Sequence, residues 1–510
     1  MSWYVLGVDV GTTAIKAALF DEDGTEIAEH AEEYDLLTPR AGYVELEPGT
    51  YTETFAEAVA SLLRESSVDV QQIRALGLSA QGETMLCLDS ADRPLGRAIV
   101  WMDNRASAES DELEAHFGRP TIHAVTGQPA MDPIWPAAKI LWLERNDPDR
   151  FAATARFALL KDFLVQRLTG RLVSEDSLLC STLFWDINTR KYWPEMLDYL
   201  GIDTEKLPEI ADQGEIVGAL TESAATELGL PAGLPVSVGA LDQACGALGL
   251  GNAVPGLFSE STGSALTTVT VVDELRLDAA GRVPCFAAAL PGQYMLHTFS
   301  TGGMVMRWFR DEFCSSERRV EELCGINAYQ LIDEEVRRVD PGSDGLVVLP
   351  HLQGSGPPDL DPHARGAFFG LTLSHTKQHL SRGIMEGVAM VLRRMIESTE
   401  DLGVEITEII SLSGGAKSAA WCQIKADATG RPVHTVKGAG SAACRGAAII
   451  AGVAAELWPS AIDIACAGME FSSTYKPNAA NAAIYDDLYT RFLALQEATK
   501  LLPRPASIAS

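Results

Sequence analysis

The chain has 510 residues, 46% of them apolar, and a formal net charge of −30. That length is enough for two or more domains with buried cores. The charge argues against nucleic acid and anionic membranes as partners, because both require clustered basic surface.

Nine cysteines are scattered singly with no C-x-x-C pair, so neither a disulfide framework nor a zinc ribbon is expected, and a reducing compartment fits. No basic and apolar leader pattern opens the sequence, and no run of about 18 apolar residues occurs, so a soluble, cytoplasmic protein is expected.

In chain order, "LGVDVGTTAIKAALFDEDG" predicts a strand over 3–10, a turn at 11–13, a strand over 14–20, a turn at Glu22-Asp23-Gly24 and a third strand from Thr25. The turn joins Asp9 to Gly11, Thr12 and Thr13. Backbone N–H groups and threonine hydroxyls suit phosphate oxygens, whereas Asp9 would repel them unless a cation lay between. Taken alone, an aspartate at this place is more often an ordinary turn residue than a metal partner. A dinucleotide fold would need this glycine turn to open a helix, and a Walker loop would need G-K-[ST]; neither is present.

Helices are predicted around 50–65 and 137–146, and strands at "IRALGLSA" (73–80) and "PVSVGAL" (235–241). Residues 256–275, "GLFSESTGSALTTVTVVDEL", repeat the opening grammar: an apolar strand, a Thr262-Gly263-Ser264 turn, and an alternating strand. Two such copies suggest two related α/β domains with mixed sheets, gripping one polyphosphate from opposite sides.

"GLVVLPHL" (345–352) reads as a strand. Leu380, Ile384, Val388, Leu392 and Ile396 predict a helix over 377–400 that ends at Gly403. His375 and His379 have helical spacing, but the residues between them lack the glutamate of a zinc hydrolase.

A third glycine motif follows a strand ending at Leu412. Gly414 and Gly415 turn the chain into a helix from Ser418 to Gly430, with Trp421, Ile424 and Ala428 inward. This arrangement either admits a flat ligand close to the backbone or is merely a tight turn. "SAACRGAAIIAGVAAELWPS" (441–460) predicts an alanine-rich, closely packed helix.

Six segments in register, "GVDVGTTAIKAALFD", "AIVWMDNRA", "KDFLVQRLTG", "GALDQACGALG", "DPHARGAFFGL" and "SGGAKSAAWCQIKADATGRPV", resemble the FGGY carbohydrate kinases over nearly the whole chain. The resemblance implies two actin-like, ribonuclease-H-like domains, divided here as 1–247 and 248–510, with ATP and sugar bound in a cleft between them. It also implies phosphate transfer to a hydroxyl of a small sugar, ketose or polyol.

By the same resemblance, Asp9 meets the phosphates through hydrated Mg2+. Gly11, Thr12, Thr13, Lys16, Thr262 and Gly263 hold phosphoryl oxygens, Gly302 and Gly303 line the nucleotide site, and Gly414, Gly415, Ala416 and Ser418 hold adenosine. Asp242 matches the family's catalytic base, the carboxylate that takes the proton of an attacking hydroxyl. Read alone, Asp242 is more commonly explained as a helix N-cap, and a residue can do both. Gln81, Glu83, Trp101, Asp242 and Gln243 are implied at the sugar, with Asp103 beside it.

The sequence departs from its relatives at Gly82, where glycerol kinases carry arginine and xylulokinases typically show Met-His. Ile134 replaces a substrate-facing tyrosine of glycerol kinases, and "HLQGSGPPDLD" lacks the usual glycine-glutamate-arginine. The expected activity is ATP-dependent phosphorylation of a ketopentose such as xylulose. Glycerol or another polyol is an alternative substrate, and an actin-like ATPase driven by a protein partner is an alternative of another class. A homodimer is also expected.

Overall fold

The structure is a computed structural model and describes residues 2–502. The chain divides into two compact units. The first runs to Val254 and takes back Val271–Met295 and Gly440–Met469; the second holds Pro255–Thr270, Leu296–Ala439 and the chain from Glu470 on.

In the first unit the main sheet runs Ile216–Ala219, Pro235–Ser237, Ile73–Ala80, Tyr4–Val10, Ala14–Phe20, Glu26–Glu33, with Ala240–Leu241 also paired to Ile73–Ala80. Tyr4–Val10, Ala14–Phe20 and Glu26–Glu33 form the expected antiparallel meander. Ile73–Ala80 lies parallel to Tyr4–Val10, and such a pairing needs a crossover, which includes the helix Pro48–Ser66.

Both faces of this sheet are covered. Leu6, Val8, Ile15, Leu76 and Leu78 pack with Tyr51, Phe55, Val59 and Leu62 of that helix. Val5, Ala18, Phe20 and Ala75 pack with Cys444, Ala448, Ala451 and Trp458. The central strands Tyr4–Val10, Ala14–Phe20 and Ile73–Ala80 therefore read as mostly apolar runs, whereas Glu26–Glu33 at the edge is charged and largely exposed.

The alanine-rich helix Ala442–Ala454 explains why residues 440–469 join the first unit and not the C-terminal half expected for them. It lies so close to the sheet that a Cβ on Gly7 would stand 1.9 Å from the Cys444 carbonyl oxygen, and one on Gly77 2.0 Å from that of Ala447. Only glycine in the strands and small residues on the helix permit this approach. A smaller sheet of Glu45–Leu46, Ala98–Ile99, Met85–Leu88 and Arg156–Leu159 carries the turns at 81–84 and 100–103.

In the second unit the strands run Tyr294–Thr301, Ala265–Val272, Leu257–Thr262, Glu408–Leu412, Val433–Val436, Phe471–Tyr475. Leu257–Thr262 and Ala265–Val272 form a hairpin, and Glu408–Leu412 lies parallel to the first of them. The repeated turn grammar thus corresponds to a repeated topology: a hairpin followed by a parallel neighbour.

Helix Lys377–Glu400 buries Ile384, Val388, Leu392 and Ile396 as its periodicity requires. The strand expected over 345–352 is shorter, Val347–Leu349, because Gly345 turns the chain at φ 85° before it and Pro350 follows it. Among the described residues no helix is long and apolar enough to cross a membrane.

Candidate active site

Asp9, next to last in Tyr4–Val10, stands between Lys16 and Ser79 on the neighbouring strands. Its carboxylate accepts from Ser79 Oγ at 2.7 Å. Burial pushes its pKa up, against the Ser79 bond and the charge of Lys16. The Lys16 ammonium donates to the Gly440 carbonyl at 2.6 Å and lies 3.5 Å from Glu29. Lys16 thereby ties the hairpin to the segment entering helix Ala442–Ala454.

The turn after Asp9 is closed by Gly11 N–H donating to the Ala14 carbonyl at 3.0 Å. The Gly11 carbonyl accepts from Gln81 Nε2 at 2.9 Å and from the Tyr34 hydroxyl. Thr12 Oγ1 accepts from Trp101 Nε1 at 2.9 Å, and Thr13 is exposed. Two residues expected at the sugar, Gln81 and Trp101, thus hydrogen-bond directly to the glycine-threonine turn.

Gln81 is buried, and its Oε1 accepts from Thr84 Oγ1 at 3.1 Å, so both ends of the amide are engaged within the protein. Asp103 is also fully buried. Its oxygens accept from the Arg105 guanidinium at 2.8 Å, from Arg105 N–H at 3.0 Å and from Val44 N–H at 2.6 Å. Gln81 and Asp103 anchor the turns, because a buried polar group must find its partners inside the fold. Glu83, Trp101, Asp242 and Gln243 keep partial exposure.

Glu83 takes a left-handed backbone at φ 54°. A Cβ on the preceding Gly82 would stand 3.0 Å from both Leu241 Cδ1 and Ser181 Oγ. This close approach seats the Glu83 turn against the strand leading into Asp242.

Asp242 is the first residue of helix Asp242–Gly249; the cap position belongs to Leu241, so the N-cap reading is displaced by one residue. Asp242 Oδ1 accepts from Gln243 N–H at 2.6 Å. Leu241 N–H is held by Ser177 Oγ at 2.9 Å, and Ser177 is bonded in turn to Glu175 of the buried Lys161–Glu175 pair. Burial and the charge of Asp9 push Asp242 up to about 7. Burial also pushes Glu83 up; the Lys139 charge opposes this, and the Asp242 and Asp132 charges add to it. The result is a group of carboxylates that feel one another.

In the second unit Gly263 N–H donates to the Ala265 carbonyl, and the Gly263 carbonyl accepts from Gly303 N–H at 2.9 Å. A Cβ on Gly302 would stand 2.2 Å from Ala265 backbone atoms, and one on Gly415 2.5 Å from Thr262 Cβ. The Thr262, Gly302-Gly303 and Gly414-Gly415 turns therefore meet, with Gly414 exposed.

The Thr262 hydroxyl points inward, donating to Glu260 at 2.7 Å and accepting from Lys425 at 2.9 Å. Gly414, Gly415 and Ala416 lie in a short helical turn, Ser413–Ala416. Ser418 caps helix Ala419–Thr429, accepting from Trp421 N–H at 3.0 Å and donating to Asp333.

Sequence reasoning missed Ser79, Tyr34, Lys139, Glu260 and Lys425. Lysines inside otherwise apolar segments, "AAKILWL" and "CQIKADA", were the available signal for two of them. His375 and His379 are engaged locally, accepting or donating at Thr372, Ser343, Thr376 and Asp344.

The model of the N-terminal domain of the FGGY family of carbohydrate kinases matches residues 4–249, and that of its C-terminal domain residues 261–455. The chain is 29% identical to a gluconokinase of Bacillus subtilis over 428 residues, 84% of this chain and 83% of the relative. It is 30% identical to a xylulose kinase of Lactococcus lactis over 500 residues, 95% of each. A solved "xyloylose kinase" from Brucella ovis superposes with a TM-score of 0.89 at 28% identity, covering 99% of this chain and 100% of the other. The chain belongs to the FGGY family of carbohydrate kinases.

Proposed function

We propose that this kinase transfers the terminal phosphate of ATP to a hydroxyl of a small neutral ketose, a ketopentose such as xylulose, with Asp242 as the base. The observation that carries the reading is the partly exposed carboxylate of Asp242, whose pKa is pushed up to about 7, close to where a base accepts a proton efficiently. Asp242 takes the hydroxyl proton as the oxygen attacks phosphorus, while Glu83 and Gln243 orient the sugar. Thr12, Thr13 and the Thr262-Gly263 turn hold phosphoryl oxygens; Gly302, Gly303, Gly414, Gly415, Ala416 and Ser418 hold the rest of the nucleotide.

Magnesium fits the donor set of the first unit. Asp9 offers a hard carboxylate oxygen, and the Lys16 cation that acts on it is engaged at Gly440 and Glu29. Asp9 would hold the ion through water, and the ion would neutralise charge between the carboxylate and the phosphates.

Charge favours a neutral sugar over a sugar acid such as gluconate. Glu83 already feels Asp242 and Asp132, and the positive groups behind it are occupied: Lys139 by three carbonyls, Arg105 by Asp103 and Glu45. A substrate carboxylate would push these carboxyl groups up further, a cost that a neutral sugar avoids. The test is an ATP-coupled screen of pentuloses, hexuloses, polyols and gluconate. Preference for a neutral ketose supports the reading; preference for gluconate, or ATP turnover indifferent to every sugar, overturns it.

A further inference from the structure

Lys139, on helix Pro136–Asn146, has a fully buried side chain. Its ammonium donates to three backbone carbonyls: Glu83 at 3.0 Å, Val100 at 3.2 Å and Trp101 at 3.3 Å. Three donors meet three acceptors, so the hydrogen-bonding capacity of the group is filled by backbone oxygens, while the Glu83, Asp103 and Asp132 carboxylates act on its charge from further off.

Burying a cation is costly, and a leucine or methionine would fill the same volume without that cost. What an apolar side chain cannot do is bind carbonyls from two separate turns at one point. Those turns are the ones that carry Glu83 and Trp101.

We propose that Lys139 is a positioning residue that clamps the Glu83 turn to the Val100–Trp101 turn and so sets the geometry of the sugar subsite. This rests on the placement of Glu83 and Trp101 at the sugar. The left-handed backbone of Glu83 costs energy, and the ammonium bond to its own carbonyl holds it in that conformation. A second tie joins the same turns: Trp101 N–H donates to Thr84 Oγ1 at 3.0 Å. Trp101 in turn reaches Thr12 through its indole N–H, so the clamp also fixes the side of the sugar subsite that touches the phosphate turn.

The experiment is steady-state kinetics on Lys139→Met, Thr84→Val and Glu83→Ala, with separate KM values for sugar and ATP and a thermal midpoint for each variant. Lys139→Met is expected to raise the sugar KM by roughly tenfold or more, as a small misplacement of binding groups does, while the ATP KM stays within about twofold. Thr84→Val, which cuts the second tie without touching a charge, should give the same pattern more weakly.

A folded Lys139→Met enzyme with an unchanged sugar KM overturns the proposal. So does a parallel rise of both KM values, which marks general loosening. Where Lys139→Met fails to fold, Thr84→Val decides, and an unchanged sugar KM in that variant overturns the clamp. If Glu83→Ala raises the sugar KM and Lys139→Met does not, the clamp alone is wrong. If neither does, the placement of the sugar is wrong.

Discussion

Lys425 and Glu260 form an ion pair 2.6 Å apart with neither side chain exposed to solvent. Thr262 and Ser411 complete their hydrogen bonding, with the Lys425 ammonium 2.9 Å and 3.3 Å from the two hydroxyls. The pair lies where strand Leu257–Thr262 delivers the chain to the Gly263 turn and where Gly415 presses on Thr262. Ions of opposite charge inside a core thus join the two turns assigned to the nucleotide.

Removing one partner strands the other. Lys425→Met should destabilise the second unit by about 3–5 kcal/mol, the range for an uncompensated buried charge. Glu260→Met combined with Lys425→Met should recover most of that loss, because the desolvation cost leaves along with the attraction. Urea midpoints of the two single variants and the double variant form the cycle that checks this. A double variant as unstable as the single ones would mean that packing, not charge, dominates here.

Asp9→Ala should weaken use of Mg-ATP by roughly tenfold or more while sugar affinity stays, since the carboxylate is assigned to the ion and not to the core. Its thermal midpoint should hold or rise, because burial makes the ionised Asp9 a cost to the fold. The measurement is a magnesium titration of turnover. Unchanged magnesium dependence would reduce Asp9 to a turn residue.

Glu83→Ala should raise the sugar KM strongly and blur discrimination among ketoses and polyols, since a site built around polar groups rejects substrates that leave them unpaired. ATP affinity should change little. A fall in ATP affinity with sugar selectivity intact would move this loop from the sugar to the nucleotide.

The sequence made the scaffold legible because hydrophobic period and turn chemistry are local. The meander through Gly11, the hairpin through Gly263 and helix Lys377–Glu400 all follow from short windows. The return of helix Ala442–Ala454 to the first unit was not legible, since it depends on Gly7 and Gly77 meeting a helix more than 350 residues away in the chain. At the site, residue type singled out turns that the structure brings together within each unit, but not the direction of each side chain. Asp103, Lys16 and the Thr262 hydroxyl have the chemistry to bind a ligand, yet each is engaged with a partner that sequence spacing does not reveal: Arg105, Gly440 and Glu260.

Asp242→Asn separates catalysis from structure in one variant. If Asp242 is the base, asparagine preserves size and a hydrogen-bond acceptor but takes no proton, so turnover should fall by roughly 10²- to 10⁴-fold with both KM values nearly unchanged. Stability should move the other way. The folded pKa of Asp242, pushed up to about 7, lies above the ordinary aspartate value, so between the two values the folded state binds a proton that the unfolded chain has released. Wild-type stability at this site is therefore present at low pH and is lost as pH rises through about 7. The thermal midpoint of Asp242→Asn should match wild type near pH 5 more closely than at pH 8, where the variant should be the more stable. A variant that keeps its turnover, or that loses both turnover and stability at pH 8, would remove Asp242 from the role of base. A more stable protein that binds both substrates and hardly transfers phosphate is the expected result, because the burial that readies this carboxylate to accept a proton is a cost the fold carries whenever the group is ionised.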